Sequence, residues 1–329
     1  MTCDERAAGG DGAAQHALLL YDSADDLRAG AVPYVREGIE QGEAVTAVVS
    51  SGAQRVLHGA LGNDAARVRW EAGDVSYRRL GVMFEAFRRF LAEQRAAGTA
   101  MRLLAENDMV STAERMAAYL RFEAMANEVY RPYGYRWACL YDTRTHPPQT
   151  LHHARQVHPR LLQPGGREIP NGDYVEPSSY LRQAGPLPRP PLTVELDSEL
   201  ADPGQLVVFR RRLRRWTEMH RIGGDDAQAV LISVGEAATN ALKHGAPPVR
   251  VLGWTADGLA RVHVHDRGSR PIPATAGYQR PSPRRDHGYG LWIIRQLADI
   301  VTTHSDSSGT TIALDFPLSL GELSPDPEI

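Results

Sequence analysis

From Pro186 to Pro191 the chain reads Pro-Leu-Pro-Arg-Pro-Pro. A helix cannot continue through such a run, because proline has no backbone N–H and its ring clashes with the preceding turn. The run closes a segment, Gln163 to Pro191, that is rich in Pro and Gly and poor in apolar residues, the composition of a linker. With 329 residues the chain is long enough for a separate core on each side. The expected organisation is a tail over 1–14, a first domain over 15–162, a linker over 163–191, a second domain over 192–318 and a tail over 319–329.

Before the linker, strand-like and helix-like segments alternate from His16 to about Leu162. The strand candidates are Ala17–Tyr21, Ala44–Ser50, Val68–Trp70, Met101–Ala105 and Trp137–Tyr141, with amphipathic stretches at about Asp25–Glu40, Tyr77–Ala97 and Thr112–Tyr130. This alternation predicts an α/β domain, a parallel sheet with helices on both faces. Tyr21, Asp22, Glu106 and Asp142 stand at strand ends where such sheets usually bind ligands, and His16, Glu43 and His158 are further candidates. Each has a plainer alternative, capping a helix or satisfying loop backbone. Cys3 and Cys139 are the only cysteines, and they support neither a disulfide nor a metal site. His146, His152, His153 and His158 are close in sequence, but their spacing pairs with no carboxylate on a helical face.

After the linker the pattern changes. Glu236 to Gly245 reads Glu-Ala-Ala-Thr-Asn-Ala-Leu-Lys-His-Gly, and helical spacing puts Glu236, Asn240 and Lys243/His244 on one face. A carboxylate, a carboxamide and cationic groups on one face suit a hard metal ion and phosphates, since Mg²⁺ takes oxygen ligands and water. Downstream, Val262-His-Val-His-Asp-Arg-Gly268 is an alternating strand ending in Asp266-x-Gly268. A Pro- and Arg-rich loop from Pro271 to Asp286 leads to His287-Gly-Tyr-Gly290, which runs into Leu291–Leu297. Glycines feeding a helix leave bare N–H groups at its positive end, a cradle for phosphate. Gly309 to Phe316 is a strand opening on Gly, Thr310 and Thr311. Taken singly, Asp266-x-Gly268 reads as a strand-to-loop turn and Glu236 as a solvated carboxylate.

In this order the four segments resemble the nucleotide-binding boxes of the GHKL ATPase superfamily. The Asn240-Ala-x-x-His244-Gly245 ending and the short domain resemble most closely the bacterial anti-sigma-factor serine kinases, over about Thr193 to Leu318. The resemblance implies an α+β GHKL (Bergerat) ATPase sandwich, with ATP and Mg²⁺ as cofactors. Glu236 would be the general base toward the attacking hydroxyl, and Asn240 would hold Mg²⁺. Asp266 would accept from the adenine amino group, with Gly268 letting the backbone close on the base. Gly288 and Gly290 would form the lid, Thr310 and Thr311 would reach the adenine side, and Lys243 and His244 would neighbour the phosphates. The first domain resembles the MEDS sensory domain, related to RecA-like folds without their phosphate loop. That likeness rests on His16–Tyr21, Glu37-Gly38, Gly42-Glu43, Arg102–Glu106, Leu140–Asp142, His158-Pro159 and Asn171–Pro177.

Lys243 is the only lysine in the chain, so no Walker-type phosphate loop exists elsewhere and ATP chemistry belongs to the second domain. A histidine kinase requires a phosphoacceptor His on a helical hairpin before this domain. Here Pro186–Pro191 precedes a strand-like Leu192–Leu196, and a helix over about Pro203–His220 has no second long helix to complete a hairpin. The anti-sigma kinase resemblance implies a sigma factor and a small anti-anti-sigma protein as partners, and a homodimer. Two readings stay open beside it: a nucleotide-binding module that sequesters a sigma factor without turnover, and an orphan sensor histidine kinase. Arg210–Arg212, Arg214 and Arg215 form either a solvated basic face or a contact for an acidic partner. A formal net charge of −3 and no recognition motif argue against nucleic acid. With no long apolar run and no basic-then-apolar start, a cytoplasmic protein without membrane contact is expected.

Overall fold

The computed structural model describes residues 15–72, 79–106, 112–183, 187–282 and 288–318. The expected tails, Cys3 and His287 lie outside the described residues. The chain divides into two compact units. One falls within Met1–Asp74, Arg88–Asp108 and Ala126–Tyr174, the other within Val75–Phe87, Met109–Met125 and Val175–Ile329.

The first unit is built on one sheet. Its strands are β1 (Gln15–Tyr21), β2 (Ala44–Val49), β3 (Val68–Ala72), β4 (Met101–Glu106), β5 (Arg136–Asp142), β6 (Arg160–Leu162) and β7 (Glu168–Pro170), in the order β3-β2-β4-β5-β1-β6-β7. Every pairing is parallel except that of β6 with β7. The expected parallel α/β sheet is thus present, extended by two strands of three residues each, too short to show a period. The helices are α1 (Ala24–Glu40), α2 (Ser51–Leu61), α3 (Leu80–Ala96), α4 (Ala113–Val129) and α5 (Pro148–Val157), and the division between the units runs through α3 and α4. Ser23 starts α1 by accepting from the Asp26 N–H at 3.2 Å, and Asp25 and Asp26 suit the positive helix end.

Side chains alternate across the sheet. Ala17, Leu19 and Tyr21 of β1 join Ala138 and Leu140 of β5 in a core with Leu27, Ala31, Tyr34 and Val35 of α1. The other parity, His16 and Leu18 with Trp137 and Cys139, is buried as well, as a parallel sheet requires. The segment read as a linker holds β7 and α6 (Pro177–Arg182), whose Tyr180 and Leu181 are buried.

The second unit carries an antiparallel sheet of β8 (Leu196–Leu200), β9 (Val249–Ala256), β10 (Leu259–Asp266), β11 (Ile300–Asp306) and β12 (Gly309–Pro317), in the order β11-β12-β10-β9-β8. The strand read at Leu192–Leu196 forms at Leu196–Leu200 instead, where Leu196, Ser198 and Leu200 point inward and Asp197 and Glu199 outward. The helices α7 (Leu206–Met219), α8 (Gly224–His244) and α9 (Tyr289–Leu297) belong to the same unit. Val230, Val234, Ala237, Ala238 and Ala241 form a stripe on α8 that joins Val251, Val262, Val264 and Leu314 in the core. Small alanines let this helix approach the sheet closely, and Asp225, Asp226, Lys243 and His244 sit at the ends that its dipole favours. A long helix does follow α7, but α8 is committed to the sheet on one face and to the cleft described below on another. Among the described residues no helix is long and apolar enough to cross a membrane.

Candidate functional site

A cleft of about 650 Å³ opens beside α8, within the range of small-molecule sites. Glu236 and Asn240 stand one turn apart on its wall, both half-buried, and Asn240 Nδ2 donates to Glu236 Oε1 at 3.2 Å. That bond leaves the Asn240 carbonyl oxygen and the second Glu236 oxygen for other partners. Both are the hard donors that Mg²⁺ and its water shell accept. Lys243 and His244 line the same cleft further along α8 and are exposed.

Asp266, the last residue of β10, is buried at the other side. Its Oδ1 accepts from the backbone N–H of Gly268 at 2.7 Å and of Ala246 at 3.2 Å. Two fixed donors on one oxygen orient the carboxylate and leave Oδ2 for a ligand. The close fit needs glycine. A Cβ at Gly245 would overlap the Asp266 carboxylate, and one at Gly268 would stand 2.7 Å from Asp266 Oδ1.

The third wall is the start of α9. Gly288 caps it with φ 97°, a conformation that side chains disfavour, and the first-turn residues Tyr289 and Gly290 line the cleft. Backbone N–H groups at this end have no partners within the helix and attract anions. Tyr289 OH donates to Pro281 O at 3.3 Å and Arg295 to Ala276 O at 3.2 Å, tying the preceding loop to α9, and Arg295 also donates to Val301 O of β11 at 3.1 Å.

The structure therefore brings Glu236, Asn240, Lys243, His244, Asp266, Gly288, Gly290 and Thr310 to one cleft. Gly268 lies behind Asp266 rather than on the cleft wall. Thr311 is a correction to the expected set. Neighbouring residues of a strand face opposite ways, and its hydroxyl bonds His265 Nδ1 at 3.0 Å, away from the cleft that Thr310 lines. Sequence reasoning missed Arg270, Ile272 and Tyr289 on the wall and the role of Gly245. The glycine had a visible signal, since it ends the Asn240–Gly245 motif, but Arg270 had none.

The sensor candidates separate into three places. Tyr21 OH donates to Glu106 Oε1, and Glu106 Oε2 accepts from the Ser50 N–H at 2.7 Å, so β1, β2 and β4 meet at the carboxyl edge of the sheet. Burial and the neighbouring Glu106 push the Tyr21 hydroxyl well above an ordinary phenol. Asp142 ends β5 at the same edge, and hydrogen bonding from Arg144 holds its carboxyl below the usual range. Glu43 precedes β2 at the opposite edge. There it pairs with Arg102, a fully buried guanidinium that also donates to Glu37 Oε2 and Tyr34 O, each at 2.7 Å. His16 belongs to a third group, with Trp137 and His158.

Residues 15–159 match the MEDS family, the methanogen/methylotroph DcmR sensory domain, and residues 200–316 match the histidine kinase-like ATPase domain. The chain joins a MEDS domain to a histidine kinase-like ATPase domain. The cleft between α8, β10 and α9 lies wholly within the ATPase match, and β1 to β5 of the parallel sheet lie within the MEDS match. No curated protein matches the chain. Among solved structures, the RsbU and RsbW domains of Rv1364c from Mycobacterium tuberculosis are 24% identical over 41% of this chain, with TM-score 0.29, and the match spans 34% of that chain. The mycobacterial sensor histidine kinase MprB is 19% identical over 38% of this chain and 97% of its own, with TM-score 0.26. The histidine kinase domain of the E. coli osmosensor EnvZ is 15% identical over 41% and 95%, with TM-score 0.24.

Proposed function

We propose that this chain is an ATP- and Mg²⁺-dependent serine/threonine protein kinase and anti-sigma factor, gated by its MEDS domain. The observation that carries the reading is the convergence of Glu236, Asn240, Asp266 and the α9 N-terminus on one cleft of nucleotide size. In this reading Asp266 Oδ2 accepts from the adenine amino group, while its Oδ1 is held by Ala246 and Gly268. The backbone N–H groups at Gly288–Gly290, with Lys243 and His244, bind the phosphates. Asn240 would hold Mg²⁺, which when bound neutralises charge on the phosphate oxygens. Glu236 takes the proton of the attacking hydroxyl. Phosphoryl transfer depends mainly on positioning and charge, which this donor set supplies.

The partners follow from the same reading: a small anti-anti-sigma protein that offers the Ser or Thr, and a sigma factor. Exposed Arg210, Arg211, Arg214 and Arg215 on α7 suit an acidic partner surface. Calorimetry of the purified chain with MgATP, followed by transfer assays on candidate partners, tests the proposal. Nucleotide binding with acid-stable phosphate on the partner is expected. No nucleotide binding ends it, binding without transfer points to sequestration, and acid-labile autophosphorylation points to a histidine kinase.

A further inference from the structure

On the sheet face opposite α1, the imidazoles of His16 and His158 and the thiol of Cys139 are buried together, each offering a ligand atom within 4.8 Å of the others. Parallel pairing explains the meeting: β1 and β5 are neighbours with Leu18 opposite Cys139, and α5 delivers His158 at its end. His16 Nε2 lies 3.3 Å from Cys139 Sγ, and the two imidazole centroids are 4.1 Å apart.

Both imidazoles are oriented from behind. Asn127 Nδ2 donates to Val157 O at 2.8 Å, which turns its Oδ1 toward His16 Nδ1 at 3.0 Å. His158 Nδ1 lies 2.6 Å from Ala154 O. An oxygen acceptor on each Nδ1 places the proton there and leaves the lone pair on Nε2. This is the outer-shell arrangement found behind metal-bound histidines.

We propose that the MEDS domain binds one thiophilic divalent metal ion, of the Zn²⁺ or Co²⁺ class, through His16 Nε2, His158 Nε2 and Cys139 Sγ. Two imidazoles and a thiolate select such ions over Mg²⁺ or Ca²⁺. Tetrahedral Zn–N and Zn–S bonds put ligand atoms about 3.3 to 3.6 Å apart, which the His16–Cys139 separation already meets. Binding releases the thiol proton to solvent.

The test is a Co²⁺ titration of the reduced, untagged full chain, read by thiolate-to-metal absorption, with metal content measured after dialysis. One equivalent per chain is expected, displaced by Zn²⁺. Cys139→Ser should abolish the absorption, and Cys3→Ser should keep it. Asn127→Ala should weaken Co²⁺ affinity by about tenfold to a hundredfold while leaving the thiolate absorption in place. A folded wild-type chain that shows no such absorption overturns the proposal, whatever the variants do. So does absorption that survives in Cys139→Ser and is lost in Cys3→Ser.

Discussion

The backbone of Gly290 lies so close over Glu236 that a Cβ there would overlap the carboxylate Oε1 and stand 2.6 Å from Asn240 Nδ2. The first turn of α9 and the polar face of α8 therefore fit each other only because this position is glycine. Gly290→Ala should leave the helix itself intact, since alanine favours it. The overlap would instead displace Glu236 and Asn240, with a strain of about 1 to 3 kcal/mol. MgATP affinity should fall tenfold or more by calorimetry, with a smaller change in melting temperature.

Glu236→Gln separates binding from chemistry. The amide keeps the size and one acceptor but takes up no proton, so nucleotide binding should be retained and phosphoryl transfer lost. A variant with normal transfer rules out Glu236 as the base. Asn240→Ala should weaken only the Mg²⁺-dependent part of binding, seen by comparing titrations with and without the ion.

Asp266→Asn keeps an oxygen for the Ala246 and Gly268 N–H groups and replaces Oδ2 by a donor. Stability should change little, whereas ATP affinity should fall by about tenfold or more, because two donors would then face each other. Equal losses of stability and affinity would assign Asp266 to the fold alone.

Asp315 and His263 should oppose each other in pH. Burial raises the Asp315 carboxyl from its ordinary 3.8 to about 6, against the pull of Arg261 at 3.8 Å. Burial, helped by Arg261, lowers His263 from 6.5 to about 4. The folded state holds the Asp315 proton more tightly than the unfolded state, so this contribution falls as pH rises from about 4 to 6. It resists protonating His263, so that contribution is present above 6.5 and is lost as pH falls toward 4. Each slope spans on the order of 3 kcal/mol. Urea unfolding of Asp315→Asn should show stability rising with pH across this window, and His263→Gln should show it falling.

Arg102 is the buried cation of the first unit. Removing it in Arg102→Met strands the largely buried Glu43, while Glu37 keeps Arg136 at 3.3 Å, and should destabilise the chain by about 3 kcal/mol in chemical unfolding.

The motifs were legible where chemistry and spacing coincide within one element. Glu236 and Asn240 share a helix face by period, and Gly288 and Gly290 announce the start of α9. Thr311 failed because the motif names two adjacent threonines, whereas a strand turns only one of them toward the cleft. The strand before α7 was placed too early because Leu192, Val194 and Leu196 alternate with polar neighbours, but the sheet selects Leu196, Ser198 and Leu200 for its inner face.

The sequence by itself determined the parallel sheet of the first unit and the four motif segments of the second, since each is written in local periodicity and composition. Only the tertiary structure decided that Tyr21 meets Glu106, that Glu43 is claimed by Arg102, and that His16 faces Cys139 across 123 residues of chain. Those contacts depend on which strands become neighbours. Strand order is set by how whole faces are buried, and no local period records it.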